Sequence, residues 1–174
     1  GYPGTLGAPF IDYIIADRTV IPHHHREFYS EKVVALPDSY QANDDKRVIA
    51  DRVFARSEVG LAPTGFVFCC FNKNYKISRP VFETWMRVLK ATPGSVLWLS
   101  SNQSYAKENL ERHASAAGID PRRIVFAPSL PRREDHLARH RLADLFLDTL
   151  PYNAHTTACD ALFAGLPVLT VAGP

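Results

Sequence analysis

From residue 66 onward the chain alternates between short continuous apolar runs and longer stretches in which apolar positions recur every three or four residues. "FVFCCF" (66–71) has the continuous apolar character of a strand covered on both faces. "SRPVFETWMRVLKATPG" (78–94) reads as a helix with Ser78 at its cap and Gly94 just past its end. The rhythm then repeats: strand "SVLWLSS" (95–101), helix "SYAKENLERHASAAGI" (104–119), strand "RIVFAPS" (123–129), helix "RREDHLARH" (132–140), strand "ADLFLDT" (143–149), helix "TTACDALFAG" (156–165) and strand "PVLTV" (167–171). Strands and helices alternating at this spacing predict an α/β fold with a Rossmann-like doubly wound parallel sheet. Upstream the pattern is weaker. "APFIDYIIAD" (8–17) predicts a strand, and "HHREFYSEKVVAL" (24–36) a short helix. Polarity rises between Gln41 and Gly65, which predicts a linker over 41–64.

Composition narrows the classes. The 174 residues are 46% apolar and 22% charged, an ordinary globular balance, and a net charge of +2 with mixed signs supports no nucleic-acid or membrane surface. Three cysteines, Cys69, Cys70 and Cys159, without metal-ligand spacing predict buried thiols in a reducing compartment, hence a cytoplasmic protein. "HHH" (His23 to His25) is not a metal site on this reading, because adjacent side chains on a helix or strand do not converge on one ion.

Ligands of parallel α/β sheets bind outside the carboxyl ends of the strands. "NAHTTACD" stands at such an end, so the amides and hydroxyls of Thr156 and Thr157 are candidates to hold a phosphate, and plain helix capping by the same threonines is the competing reading. Lys76, after "FVFCCF", is a candidate cation for a diphosphate. Arg132, His136 and Arg139 form a basic segment after "RIVFAPS", and Asp160 lies one turn past the threonines as a candidate acceptor for a ribose hydroxyl. Three strand ends with such groups suggest a nucleoside diphosphate site, although neither a Walker loop nor GxGxxG is present.

Taken together, "GYPGTLGAPFIDYIIAD", "FNKNYKI", "VLKATPGSVLWL", "RIVFAPSLP" and "HLARHRLADLFLDTLPYNAHTTACDALFAGLPVLT" resemble the catalytic region of the O-GlcNAc transferases and their Spindly-type relatives. The resemblance covers nearly the whole chain. It implies an inverting glycosyltransferase of the GT-B type, often preceded by tetratricopeptide repeats, which moves GlcNAc from UDP-GlcNAc to Ser or Thr hydroxyls of proteins. It implies further that residues 1–40 close the first catalytic lobe and 65–174 form a nucleotide-sugar-binding lobe that stops short, a fragment expected to be inactive alone. By the same resemblance Lys76 stabilises the leaving diphosphate, His155, Thr156 and Thr157 receive the phosphates, Asp160 meets the ribose, and Leu130, Arg132, His136 and Arg139 surround the base. "RREDH" is one residue longer than the family form, and Lys73 replaces a common glutamine. The chain has no Asp-X-Asp triplet, so no metal and no other cofactor is expected. GDP-fucose or UDP-glucose as donor, or a non-catalytic nucleotide-binding domain, are the alternatives.

Overall fold

The structure, a computed structural model, describes residues 4–100 and 103–172. Ser101, predicted to end a strand, lies outside the described residues, as do Gly1 to Pro3, Asn102, Gly173 and Pro174. The chain divides into two compact units between Lys46 and Arg47.

In the first unit β1 (Tyr13–Asp17) pairs in parallel with β2 (Lys32–Leu36), and a 3-10 helix over His23–Phe28 lies between them in sequence. The helix predicted over 24–36 is therefore wrong in its second half. "KVVAL" has adjacent β-branched residues that suit a pleated strand, and its backbone finds a ready partner in β1. The Asp17 carboxylate fixes the exit from β1 by accepting from the amides of Thr19 (2.9 Å), Val20 (2.8 Å) and Tyr40 (2.8 Å).

The second unit is built on a five-stranded, wholly parallel sheet in the order β5-β4-β3-β6-β7. Its strands are β3 (Val67–Cys70), β4 (Val96–Ser100), β5 (Ile124–Ala127), β6 (Leu145–Leu147) and β7 (Val168–Leu169). The helices are α1 (Arg79–Ala91), α2 (Ser104–Ala116), α3 (Arg133–Arg139) and α4 (Thr156–Phe163). All four residues of β3 are buried, as expected of a central parallel strand. Helix α1 turns Val81, Phe82, Trp85, Met86 and Leu89 to the core, and this spacing is one face of a 3.6-residue period. Its carboxyl end is closed from a distance: the Arg123 guanidinium donates to the carbonyls of Leu89 (2.7 Å), Thr92 (2.9 Å) and Ser95 (2.7 Å). Where β3 begins, a Cβ on Gly65 would stand 2.4 Å from the Gly94 carbonyl oxygen, and its φ of +105° is a second reason for glycine.

Cys69 and Cys70 are fully buried free thiols, and burial pushes the Cys70 group up to about 12. Cys159, on α4, is half-buried.

The linker predicted over 41–64 is only partly unstructured chain. Phe54, Val59 and Leu61 are buried in the core of the second unit, and the Ala50 amide donates to the Glu134 carbonyl at 3.2 Å. Apolar residues scattered among charges gave no periodic signal, yet each found a place against the sheet.

The strand order carries the functional consequence. From β3 the chain moves outward through β4 to β5, then returns to place β6 on the other side of β3. The reversal makes the carboxyl ends of β3 and β6 the switch point of the sheet, where a crevice opens.

Candidate active site

Two loops leave the switch point. The one after β6 is wound around a single carboxylate. Asp148 accepts from the amides of Thr149 and Ala154 (both 2.7 Å), from Asn153 Nδ2 (3.0 Å) and from the Thr170 hydroxyl (2.7 Å). These contacts bring the chain from residue 148 back to the start of α4, and the turn includes a cis Leu150–Pro151 bond. The loop after β3 joins it through Asn72, which is 1% exposed. Asn72 Nδ2 donates to Thr149 Oγ1 (2.8 Å), Thr149 Oγ1 donates to the Tyr152 carbonyl (2.8 Å), and the Thr157 hydroxyl donates to Asn72 Oδ1.

Lys76 closes a 3-10 turn over Asn74–Lys76 and reaches across to the β6 loop. Its Nζ donates to the Asn153 carbonyl (3.0 Å) and lies 4.0 Å from the centre of the Tyr152 ring. Tyr152 stacks on His155, with ring centres 5.5 Å apart and planes 23° from parallel. Partial burial lowers the Lys76 value below that of an ordinary lysine, and the Asp148 charge opposes this. His155 is also lowered, first by burial and then by the Lys76 charge. His155 occupies the cap position of α4 without a side-chain cap bond, so the capping reading of Thr157 fails by position: Thr157 is the second residue inside the helix, and its hydroxyl donates to Asn72. The structure thus brings Lys76, His155 and Thr157 together at the carboxyl ends of β3 and β6, with the first-turn amides of α4 beside them. Those amides have no carbonyl partner within the helix, and the helix dipole adds to their pull on an anion.

The remaining candidates lie elsewhere around the second unit. Leu130 packs against the core. Arg132 precedes α3, is exposed, and pairs with Glu134 at 3.6 Å. His136 and Arg139 meet at Phe71, the residue before Asn72. The His136 ring centre is 5.6 Å from that of Phe71, and the Arg139 guanidinium lies 4.6 Å over the Phe71 ring. Arg139 is 4% exposed and donates to the Pro128 carbonyl (2.6 Å), while its Nε meets no acceptor among the described residues. Burial lowers Arg139 to about 10 and is the largest of the effects that lower His136 to about 3. Asp160, read as a ribose acceptor, is 7% exposed and engaged by Arg47, with Arg133 at 3.7 Å. In this structure its carboxylate serves an ion pair that ties residue 47 to α4. Among the described residues no group of three or more His, Cys, Asp or Glu side chains is arranged to hold a metal ion.

Sequence reasoning missed Asn72, Asp148, Tyr152 and Arg47. Asn72 carried the one usable signal, an amide directly after a wholly apolar strand.

The family model described as glycosyl transferase family 41 matches residues 1–53 and 50–174, together the length of the chain. The chain belongs to glycosyl transferase family 41. Among its family 41 relatives, the probable UDP-N-acetylglucosamine--peptide N-acetylglucosaminyltransferase SEC of Arabidopsis thaliana is 39% identical over 98% of this chain and 18% of its own length. The protein of the same description named SPINDLY in Petunia hybrida is 33% identical over 99% of this chain and 19% of its own. The chain therefore spans about a fifth of the curated relatives it matches. A solved structure of a lysine-to-methionine mutant of Thermobaculum terrenum O-GlcNAc transferase superposes with a TM-score of 0.76 at 30% identity, covering 93% of this chain and 30% of that one. The architecture is that of the GT-B glycosyltransferases in this family, an α/β fold on a parallel sheet.

Proposed function

We propose that this family 41 chain supplies the donor site of an inverting transferase that moves GlcNAc from UDP-GlcNAc to Ser or Thr hydroxyls of protein acceptors. One observation carries the reading: Lys76 and the amino end of α4 converge on the switch-point crevice from two different strands. In such a transfer the acceptor hydroxyl attacks the anomeric carbon and the nucleoside diphosphate departs, so negative charge grows on the diphosphate. A fixed cation and the first-turn amides of a helix at that position stabilise the transition state more than the ground state. The names of the relatives support the donor and the peptide acceptor. No described helix is long and apolar enough to cross a membrane, and the buried free thiols fit a cytoplasmic setting.

The charge is met by protein groups alone on this reading, which gives a direct test. UDP is expected to raise the thermal unfolding midpoint by an amount that grows with the logarithm of its concentration, equally with and without a chelator. Uridine should protect far less because it lacks the phosphates, and GDP should protect less than UDP. Equal protection by uridine and UDP would remove the diphosphate from the crevice. Stronger protection by GDP would favour a fucosyl donor, and loss of protection on chelation would require a metal.

A further inference from the structure

We infer that Asn72 is a positioning residue for the proposed diphosphate site: it holds the first turn of α4 on the end of β3 and takes up the Thr157 proton, so Thr157 meets an anion through its amide and not its hydroxyl. The inference rests on the reading of the crevice as a diphosphate site, and it revises the expectation that both threonine hydroxyls bind phosphate.

The direction of each bond follows from counting protons. The Thr149 hydroxyl has one proton, and the Tyr152 carbonyl 2.8 Å away has none to offer, so that proton goes to Tyr152. Thr149 Oγ1 must then accept from Asn72, which turns the nitrogen of the buried carboxamide toward Thr149 at 2.8 Å. The opposite orientation of the amide would set two acceptors against each other there and against Asp148 Oδ1, 3.4 Å from the same nitrogen. With nitrogen on that side, Asn72 Oδ1 faces Thr157, and Thr157 can only donate to it. The proton of Thr157 is thus committed inside the protein. What its hydroxyl presents outward is lone-pair density, which repels an anion.

Position matters as much as direction. Asn72 is 1% exposed and Thr149 is 0% exposed, so neither has water as an alternative partner. One side chain therefore ties the strand that leads to Lys76, the loop wrapped on Asp148, and the helix whose amides would face the phosphates. A shift of α4 by a fraction of an ångström would spoil the alignment of those amides with Lys76, and catalytic sites are sensitive on that scale.

The test combines ligand affinity with amide exchange. In this chain, Asn72→Ala is expected to weaken UDP binding about tenfold, with little change for uridine, and Thr157→Val to do nearly the same. The double variant should be no weaker than either single one, because both break one link. Independently of any ligand, Asn72→Ala should speed hydrogen exchange of the Cys159 amide, which bonds the His155 carbonyl, about tenfold while α1 is unchanged. Should Asn72→Ala not fold, Thr149→Val breaks the same network from the other side and takes its place in both measurements. If Thr157→Val loses UDP affinity while breaking Asn72 or Thr149 leaves it intact, the hydroxyl itself binds phosphate and the inference falls. If the unmodified chain shows no preference for UDP over uridine, the functional reading falls, and the positioning role then stands or falls on the Cys159 exchange rate alone.

Discussion

Replacing Lys76 with Ala is expected to lower sugar transfer by roughly two to three orders of magnitude in the full-length polypeptide that carries this sequence, the usual loss for one preorganised charge stabiliser. The side chain does not wait to be positioned by substrate. It is already held by the Asn153 carbonyl at 3.0 Å and by the face of Tyr152 at 4.0 Å, so little reorganisation is required when charge develops. Because the effect belongs to the departing diphosphate, kcat should fall more than KM rises. Lys76→Arg should recover only part of the rate: the cation is retained, but a planar fork replaces a point charge at a site shaped around Asn153 and Tyr152. Thermal stability should change little, since Lys76 is only half-buried. Transfer within a few-fold of normal in the alanine variant would remove Lys76 from the chemistry.

A second large effect concerns acid. His136 is lowered to about 3, first by burial and then by Arg139, His140 and Arg133. His140 is lowered by burial and by Arg139, against the opposing hydrogen bond to the His136 carbonyl and the opposing charge of Asp160. Both therefore stay neutral in the folded protein at a pH where the unfolded chain, with histidines near 6.5, has taken up protons. The unfolded state binds more protons, so stability rises with pH in this window. It is complete above about 6.5 and is lost as pH falls from there toward the folded values. The expected slope is at most about 1.4 kcal/mol per pH unit for each histidine. Between pH 6.5 and 5 the shifted carboxylates contribute little, since Asp17, Glu31, Glu58 and Asp120 are all lowered and Asp and Glu of the unfolded chain are mostly ionised there. Both tryptophans, Trp85 and Trp98, lie in the second unit, so urea unfolding followed by their fluorescence reports on the unit that holds the histidines. His136→Gln should reduce the slope, and adding His140→Gln should reduce it further, leaving the share of His155, which is also lowered. A stability that is level from pH 6.5 to 5 in the unmodified chain would show that the histidines are solvated.

How much of this was legible beforehand depends on the range of the interaction. The strands and helices of residues 66–171 were readable because each is encoded by its own periodicity, and a buried strand such as "VFCC" is unambiguous when turn residues bound it. "KVVAL" was misjudged because five residues after a histidine-rich stretch do not show their period until β1 is beside them. Residues 47–64 were misjudged because Phe54, Val59 and Leu61 follow no period and are recruited singly by the core. In the candidate site, Lys76, Thr156 and Thr157 stood at strand ends and were candidates from position, whereas His155 entered only through the family resemblance. The groups that organise them were not. Asn72 and Thr149 are separated by 77 positions and Arg47 and Asp160 by 113, and no local pattern announces such a pairing. Asp160 shows the same limit from the other side: its place one turn after Thr156 and Thr157 suggested a ligand contact, and Arg47 gave it another partner.

The thiols of the second unit have a practical use. Cys69 and Cys70 are sealed in β3, with their ionisation suppressed by burial, whereas Cys159 is half-buried on α4, two residues from Thr157. The sequence thus contains a built-in attachment point on the one helix whose movement matters most, and the other two cysteines compete poorly for a thiol-directed dye. A fluorophore there would watch α4 as nucleotide arrives, with no engineered residue in the chain.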